Sequence, residues 1–136
     1  MLLAGAGPAP AVPGATLDIS IANLRSDRGL IQLCLTRDPA HFPDCEGDPT
    51  ARRLTAPAHA AGHIALPGVP AGDYALSVIH DENANGRLDT RFGIPSEGVG
   101  FSRNPRLMFG PPSFAAARFA LASGSADQKV TVKYFL

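Results

Sequence analysis

From residue 15 onward apolar and polar residues alternate, and this period of two constrains the fold more than any other feature. Over residues 16–24, Leu17, Ile19 and Ile21 fall on one face and Asp18 and Ser20 on the other, as in a half-buried strand. Residues 30–36, a weaker run at 51–56, residues 63–66 with Ile64 and Leu66 inward, and residues 74–80, 119–121 and 128–136 continue the pattern. Thirteen prolines and fourteen glycines are spread along the chain, too many breakers for long helices. Residues 25–29 are turn chemistry, so the first two strands are expected to form a hairpin. A short strand is expected at 106–109, and a helical turn at 113–118 with Ser113 as its N-cap.

Six to eight short strands predict an all-β fold: a single immunoglobulin- or transthyretin-like β-sandwich of about seven strands with one long ordered loop. The length, 136 residues, suits one domain able to bury a modest core. Lys+Arg and Asp+Glu balance at 12 each, which leaves no electrostatic footprint for nucleic acid or anionic lipid. No apolar run approaches the ~20 residues of a membrane span. The domain is expected over residues 14–136. Residues 1–13 read as a disordered leader or as the remnant of an export signal, with small residues near a cleavage point but no positive n-region.

Cys34 and Cys45 flank a Pro-rich loop, eleven positions apart. They form either a disulfide, which suits an exported protein, or two reduced buried thiols. With only His41 between them they lack the paired spacing of a zinc site.

Chemistry concentrates in residues 81–89. Asp81, Asn83, Asn85, Arg87 and Asp89 recur at every second position, with Gly86 at the sixth. A hard cation such as calcium takes six to eight oxygens. Side chains at positions one, three and five, the carbonyl of Arg87 at seven and Asp89 at nine can converge on one point, while Gly86 permits the sharp turn. The twelfth position, where an EF-hand carries its closing glutamate, is Phe92, so Glu97 is the nearest later carboxylate able to fold back. Glu82 is expected to point to solvent. The competing reading is an Asx-rich turn that satisfies itself.

The stretch from Leu66 to Val78, with its Pro-Ala-Gly-Asp-Tyr turn, resembles a phrase of transthyretin-like and carboxypeptidase-regulatory-like sandwiches. His80–Asp89, then residues 93–102 and 109–114, resemble domain-of-unknown-function family 2141, short exported bacterial proteins. The resemblance covers roughly residues 15–136 and implies a periplasmic or secreted β-sandwich, with no activity and no catalytic residues to carry over.

Three functional readings follow. The first is a non-enzymatic binding or structural module whose calcium-type loop orders a recognition surface, for which His80, Arg91, Phe101, Arg103 and Phe109 are candidates. Its partner would be a protein, glycan or small molecule. The second is a metal-assisted hydrolase using His80 and Glu97. The third is a metal-free structural or interaction domain. Alternatively, Phe92, Phe101, Phe109 and Phe114 simply pin the long connection to the sandwich.

Overall fold

The computed structural model describes residues 14–86, 88–91, 94–107 and 110–136. The expected leader at 1–13, and the candidates Arg87 and Phe109, lie outside the described residues. The strands are β1 (Ala15–Ala22), β2 (Leu30–Thr36), β3 (Arg52–Pro57), β4 (Ile64–Val69) and β5 (Gly72–Asp81). They continue with β6 (Thr90–Arg91), β7 (Ile94–Pro95), β8 (Gly98–Phe101), β9 (Phe119–Leu121) and β10 (Gly124–Thr131), with the one-turn helix α1 (Phe114–Ala117) before β9. The expected all-β sandwich is found. One sheet has the order β9-β5-β2-β3, with β8 also on β5; the other is β10-β1-β4; β6 and β7 form a small pair.

The expected hairpin between the first two strands does not form. β1 pairs with β10 in parallel and with β4 antiparallel, while β2 lies between β3 and β5. Residues 23–29 exceed a tight hairpin loop and carry the chain from one sheet to the other. Asn23 and Gly29 supply the left-handed turns, at φ 71° and 76°.

The alternation read from sequence sets the core. Leu17 and Ile19 of β1, fully buried, join Ile31, Leu35, Leu76 and Val78 of the facing sheet in one cluster. Each such side chain contributes roughly 1.5–3 kcal/mol by leaving water. The closing strand begins earlier than expected, at Gly124, and its register on β1 is unbroken to Thr131.

β5 departs from simple alternation, being buried on both faces from Tyr74 to Val78. A second small cluster covers its outer face: Ala75, Val99, Phe101 and Ala117, with Phe42, Leu107 and Phe114 packed on it. Phe42 sits edge-on to both Phe101 and Phe114, at 6.0 Å each. Two of the aromatic residues of the long connection therefore do pin it. Ser113 caps α1, accepting from the Ala116 amide at 3.2 Å. Arg106 and Leu107 carry no strand; the rest of that expected strand lies outside the described residues.

Cys34 and Cys45 are bonded as a disulfide with a Cα–Cα distance of 5.9 Å. Ser77 Oγ donates to the Pro43 carbonyl, which ties the loop between the cysteines to the sheet, and Thr36 Oγ1 donates to Asp48, which ties the segment just beyond Cys45.

Two outcomes are expected. Replacing both cysteines by serine lowers unfolding stability by about 2–3 kcal/mol in chemical denaturation, the loop-closure value for this separation. Gly29→Ala is destabilising by roughly 2 kcal/mol or more, because a Cβ there would lie 2.2 Å from the Asp81 carbonyl oxygen at a positive φ. Thermal melting reads this second effect.

Candidate functional site: the Asp81 loop

β5 is the longest strand, and it delivers His80 and Asp81 to its end on opposite faces. His80 follows Leu76 and Val78 onto the inner face. It is fully buried, with Nδ1 2.7 Å from the Tyr134 hydroxyl and Nε2 2.8 Å from the Arg28 carbonyl. Both ring nitrogens are thus engaged in joining the end of β5 to the 25–29 turn and the C-terminal segment.

Asp81 follows Ser77 and Ile79 onto the outer face and is also fully buried. Its carboxylate accepts from the amides of Gly86 at 2.8 Å and Asn85 at 3.2 Å, and from Gln32 Nε2 at 3.3 Å. Burial opposes its ionisation, but these donors and the neighbouring Glu97 carboxyl outweigh burial and hold Asp81 below the usual carboxylate range. Sequence reasoning missed Gln32. Its signal was a polar residue amid the apolar run of β2, where even a half-buried amide tends to find partners. Its Oε1 accepts from Thr55 Oγ1 at 2.9 Å, so Asp81, Gln32 and Thr55 form a chain across β5, β2 and β3.

The outer half of the loop closes on Asp89. Asn83 donates to it at 2.9 Å, and Asn85 Nδ2 reaches both of its oxygens, at 2.9 and 2.8 Å. Gly86, at φ 81°, makes the turn that the sequence requires of it. Glu97 does fold back: its Oε1 accepts from the Asp89 amide at 2.8 Å. Glu97 is 5% exposed. Its other oxygen, Oε2, is buried with no donor facing it when both carboxyls are ionised. Burial, then proton sharing with Asp81 and the charges of Asp81 and Asp89, push the Glu97 carboxyl up to about 7. A proton on Glu97 lets it donate to Asp81. Among the described residues no Lys or Arg pairs with either Asp81 or Glu97.

Glu82 does not point to solvent. It accepts from Arg25 Nε at 2.8 Å, from Ser26 Oγ at 2.8 Å and from Arg28 at 3.2 Å. The tertiary approach of the 25–29 turn, invisible from sequence, provides those cations. Phe101 is buried in the second cluster, and His80 lies inside, so neither is a free surface group. Arg91 and Arg103 are exposed. Among the described residues no three His, Cys, Asp or Glu side chains gather as a metal-holding group; oxygens for a hard cation would come from two or more carboxylates together with amide and backbone carbonyl groups.

Fold and site together define a small disulfide-bridged β-sandwich with an acidic loop braced against the outer face of its larger sheet. The family model described as "Uncharacterized protein conserved in bacteria (DUF2141)" matches residues 19–129, more than half of the chain, and the chain belongs to that family. The chain matches no curated protein and no solved structure. No helix among the described residues is long and apolar enough to cross a membrane.

The raised Glu97 carboxyl sets a pH dependence. Between about pH 4.5 and 7 the folded state keeps a proton that the unfolded chain has released. Without divalent cations this contribution is therefore full below that range and is lost as pH rises through it. It amounts to no more than about 3.5 kcal/mol at ~1.4 kcal/mol per unit. Glu97→Gln should flatten the slope and raise the melting temperature at pH 8, as measured by melts in a chelator.

Proposed function

We propose that the protein is an exported, non-enzymatic binding module in which a calcium-type cation fixes the Asp81 loop and, through it, a recognition face on the larger sheet. One observation carries the reading: Asp81 and Glu97 are buried side by side without a basic partner among the described residues, and Glu97 Oε2 faces no donor. Two buried carboxylates of this kind are neutralised by a proton or by a cation. Near neutral pH Glu97 is poised between the two. The expected holders are Asp81, Asp89 and Glu97 with the Asn83 and Asn85 side-chain oxygens, which a bound cation would have to draw together, since the three carboxylates are not already gathered as a metal-holding group; the carbonyl of Arg87 belongs to the same sequence pattern. The Cys34–Cys45 pair supports a periplasmic or secreted setting.

A metal-free interaction domain is the second reading. It is favoured by the way Asn83 and Asn85 already hydrogen-bond Asp89. The hydrolase reading has less to stand on, since both nitrogens of His80 are bonded inside the fold.

Calcium titration distinguishes the first two. A bound cation stabilises by RT ln(1 + [L]/Kd), about 2.7 kcal/mol at a hundredfold excess over Kd. The melting temperature should rise with calcium at pH 7.5, more than at pH 5.5, and Asp81→Asn should abolish the rise. An unchanged melting temperature at millimolar calcium favours the metal-free domain.

A further inference from the structure

Of the four asparagines in the chain, Asn23, Asn83, Asn85 and Asn104, only Asn85 precedes a glycine. That neighbour decides how readily an asparagine, one of the thermolabile residues, deamidates. The backbone nitrogen of the following residue attacks the side-chain amide carbon, and a side chain on that residue obstructs the approach. Gly86 has none. Leu24 and Ala84 each bring a Cβ to the reaction, and Pro105 has no N–H to lose. Asn85 and Gly86 are both exposed, so water reaches them. Sequence chemistry and exposure together make Asn85 the asparagine of this chain most prone to deamidation.

In the folded loop both reacting groups are engaged. The Gly86 nitrogen donates its hydrogen to Asp81 Oδ2 at 2.8 Å. It must lose that hydrogen to act as a nucleophile, and an amide anion beside a buried carboxylate is disfavoured by charge. The Asn85 side chain is held at its far end, where Nδ2 donates to both Asp89 oxygens at 2.9 and 2.8 Å. Ring closure draws the amide carbon onto the Gly86 nitrogen and pulls Nδ2 off Asp89. The Asn85 backbone amide adds a third tie, to Asp81 Oδ1 at 3.2 Å. Asp81 itself belongs to β5 and is also held by Gln32 of β2, so the restraint comes from the sheet and not from the loop alone.

We propose that Asn85–Gly86 is a deamidation site kept latched by the Asp81 and Asp89 carboxylates, and that reaction there irreversibly loosens the loop. Local opening releases the two groups. The Gly86 nitrogen then loses its proton and bonds to the Asn85 amide carbon; the bond from that carbon to Nδ2 breaks, and Nδ2 leaves as ammonia, taking up the proton. Water adds to either carbonyl of the resulting succinimide and opens it to aspartate or isoaspartate. No oxidant or reductant takes part. A carboxylate oxygen replaces Nδ2 in the product, so both hydrogen bonds donated to Asp89 are lost. Isoaspartate also inserts an extra backbone atom at the turn. Every group in the latch belongs to the protein, so the proposal does not rest on cation binding.

The test compares the intact protein with the free peptide of residues 81–89, both in chelator near neutral pH, by mass spectrometry that locates the modified residue. An opening that costs ~1.4 kcal/mol slows the reaction about tenfold. Asn85 in the protein should therefore deamidate at least about tenfold more slowly than in the peptide. Asp81→Ala and Asp89→Ala should each move the rate toward that of the peptide. If Asp81→Ala does not fold, Asp89→Ala, at a less buried position, decides alone. The disulfide-free double variant Cys34→Ser, Cys45→Ser weakens the fold without touching the latch and should stay slow, which separates local restraint from global stability. Asn85→Asp, made directly, should lower the melting temperature in chelator. Equal rates in protein and peptide, an unchanged rate in either folded Asp→Ala variant, equal acceleration without the disulfide, or an unshifted melting temperature for Asn85→Asp would each overturn the proposal.

Discussion

The loop at the end of the longest strand depends on the Asp81 carboxylate. It is fully buried at the end of the longest strand and collects two backbone amides of its own loop and the Gln32 amide of the neighbouring strand. A buried carboxylate without such donors would cost several kcal/mol or take up a proton. The donors are in place only when the loop folds back on the strand, so the charge enforces the loop geometry. Glu97 completes the arrangement by accepting from the Asp89 amide, which anchors the far end of the loop where the chain enters β8.

The same sheet is unusual in being covered twice. Its inner face packs on β1, β4 and β10 through aliphatic side chains. Its outer face carries a smaller aromatic cluster under the disulfide loop and α1. Ser102 links these layers: its hydroxyl accepts from the Leu76 amide at 3.0 Å and donates to the Ala117 carbonyl. Asn104 acts likewise at the other sheet, its amide donating to Lys129 O and its oxygen accepting from the Thr131 amide. Irregular chain thus finds hydrogen-bond partners through side chains where no ladder exists. The long connection can therefore be ordered with little regular structure.

The inner side of the site is equally fixed. His80, Tyr134, Arg25 and Glu82 form a connected group in which the Arg25 guanidinium lies 4.4 Å above the Tyr134 ring. Arg25 also donates to the Leu136 carbonyl, holding the C-terminal segment across the end of the sandwich. The strand end that carries Asp81 is consequently clamped on both faces, by a charged network inside and by the loop outside.

The sequence by itself determined what depends on local spacing. Period-two alternation assigned inner faces to Leu17, Ile19, Ile21, Ile64 and Leu66, all of them buried. The Asp/Asn/Gly spacing marked residues 81–89 as a loop turning at Gly86, and Ser113 announced its helical turn. Tertiary structure alone decided which strands are neighbours. β1 pairs with β10, more than a hundred residues away in the chain, rather than with the next strand, because its one apolar face packs against the sheet that holds the next strand, which sets the two in different sheets. It alone brought Arg25 and Arg28 to Glu82 and Gln32 to Asp81, whereas Glu97 was already named by the sequence as the carboxylate able to fold back. Spacing within a loop fixes which groups can converge. Which groups from elsewhere meet them is set by the packing of two sheets, and no local pattern encodes that.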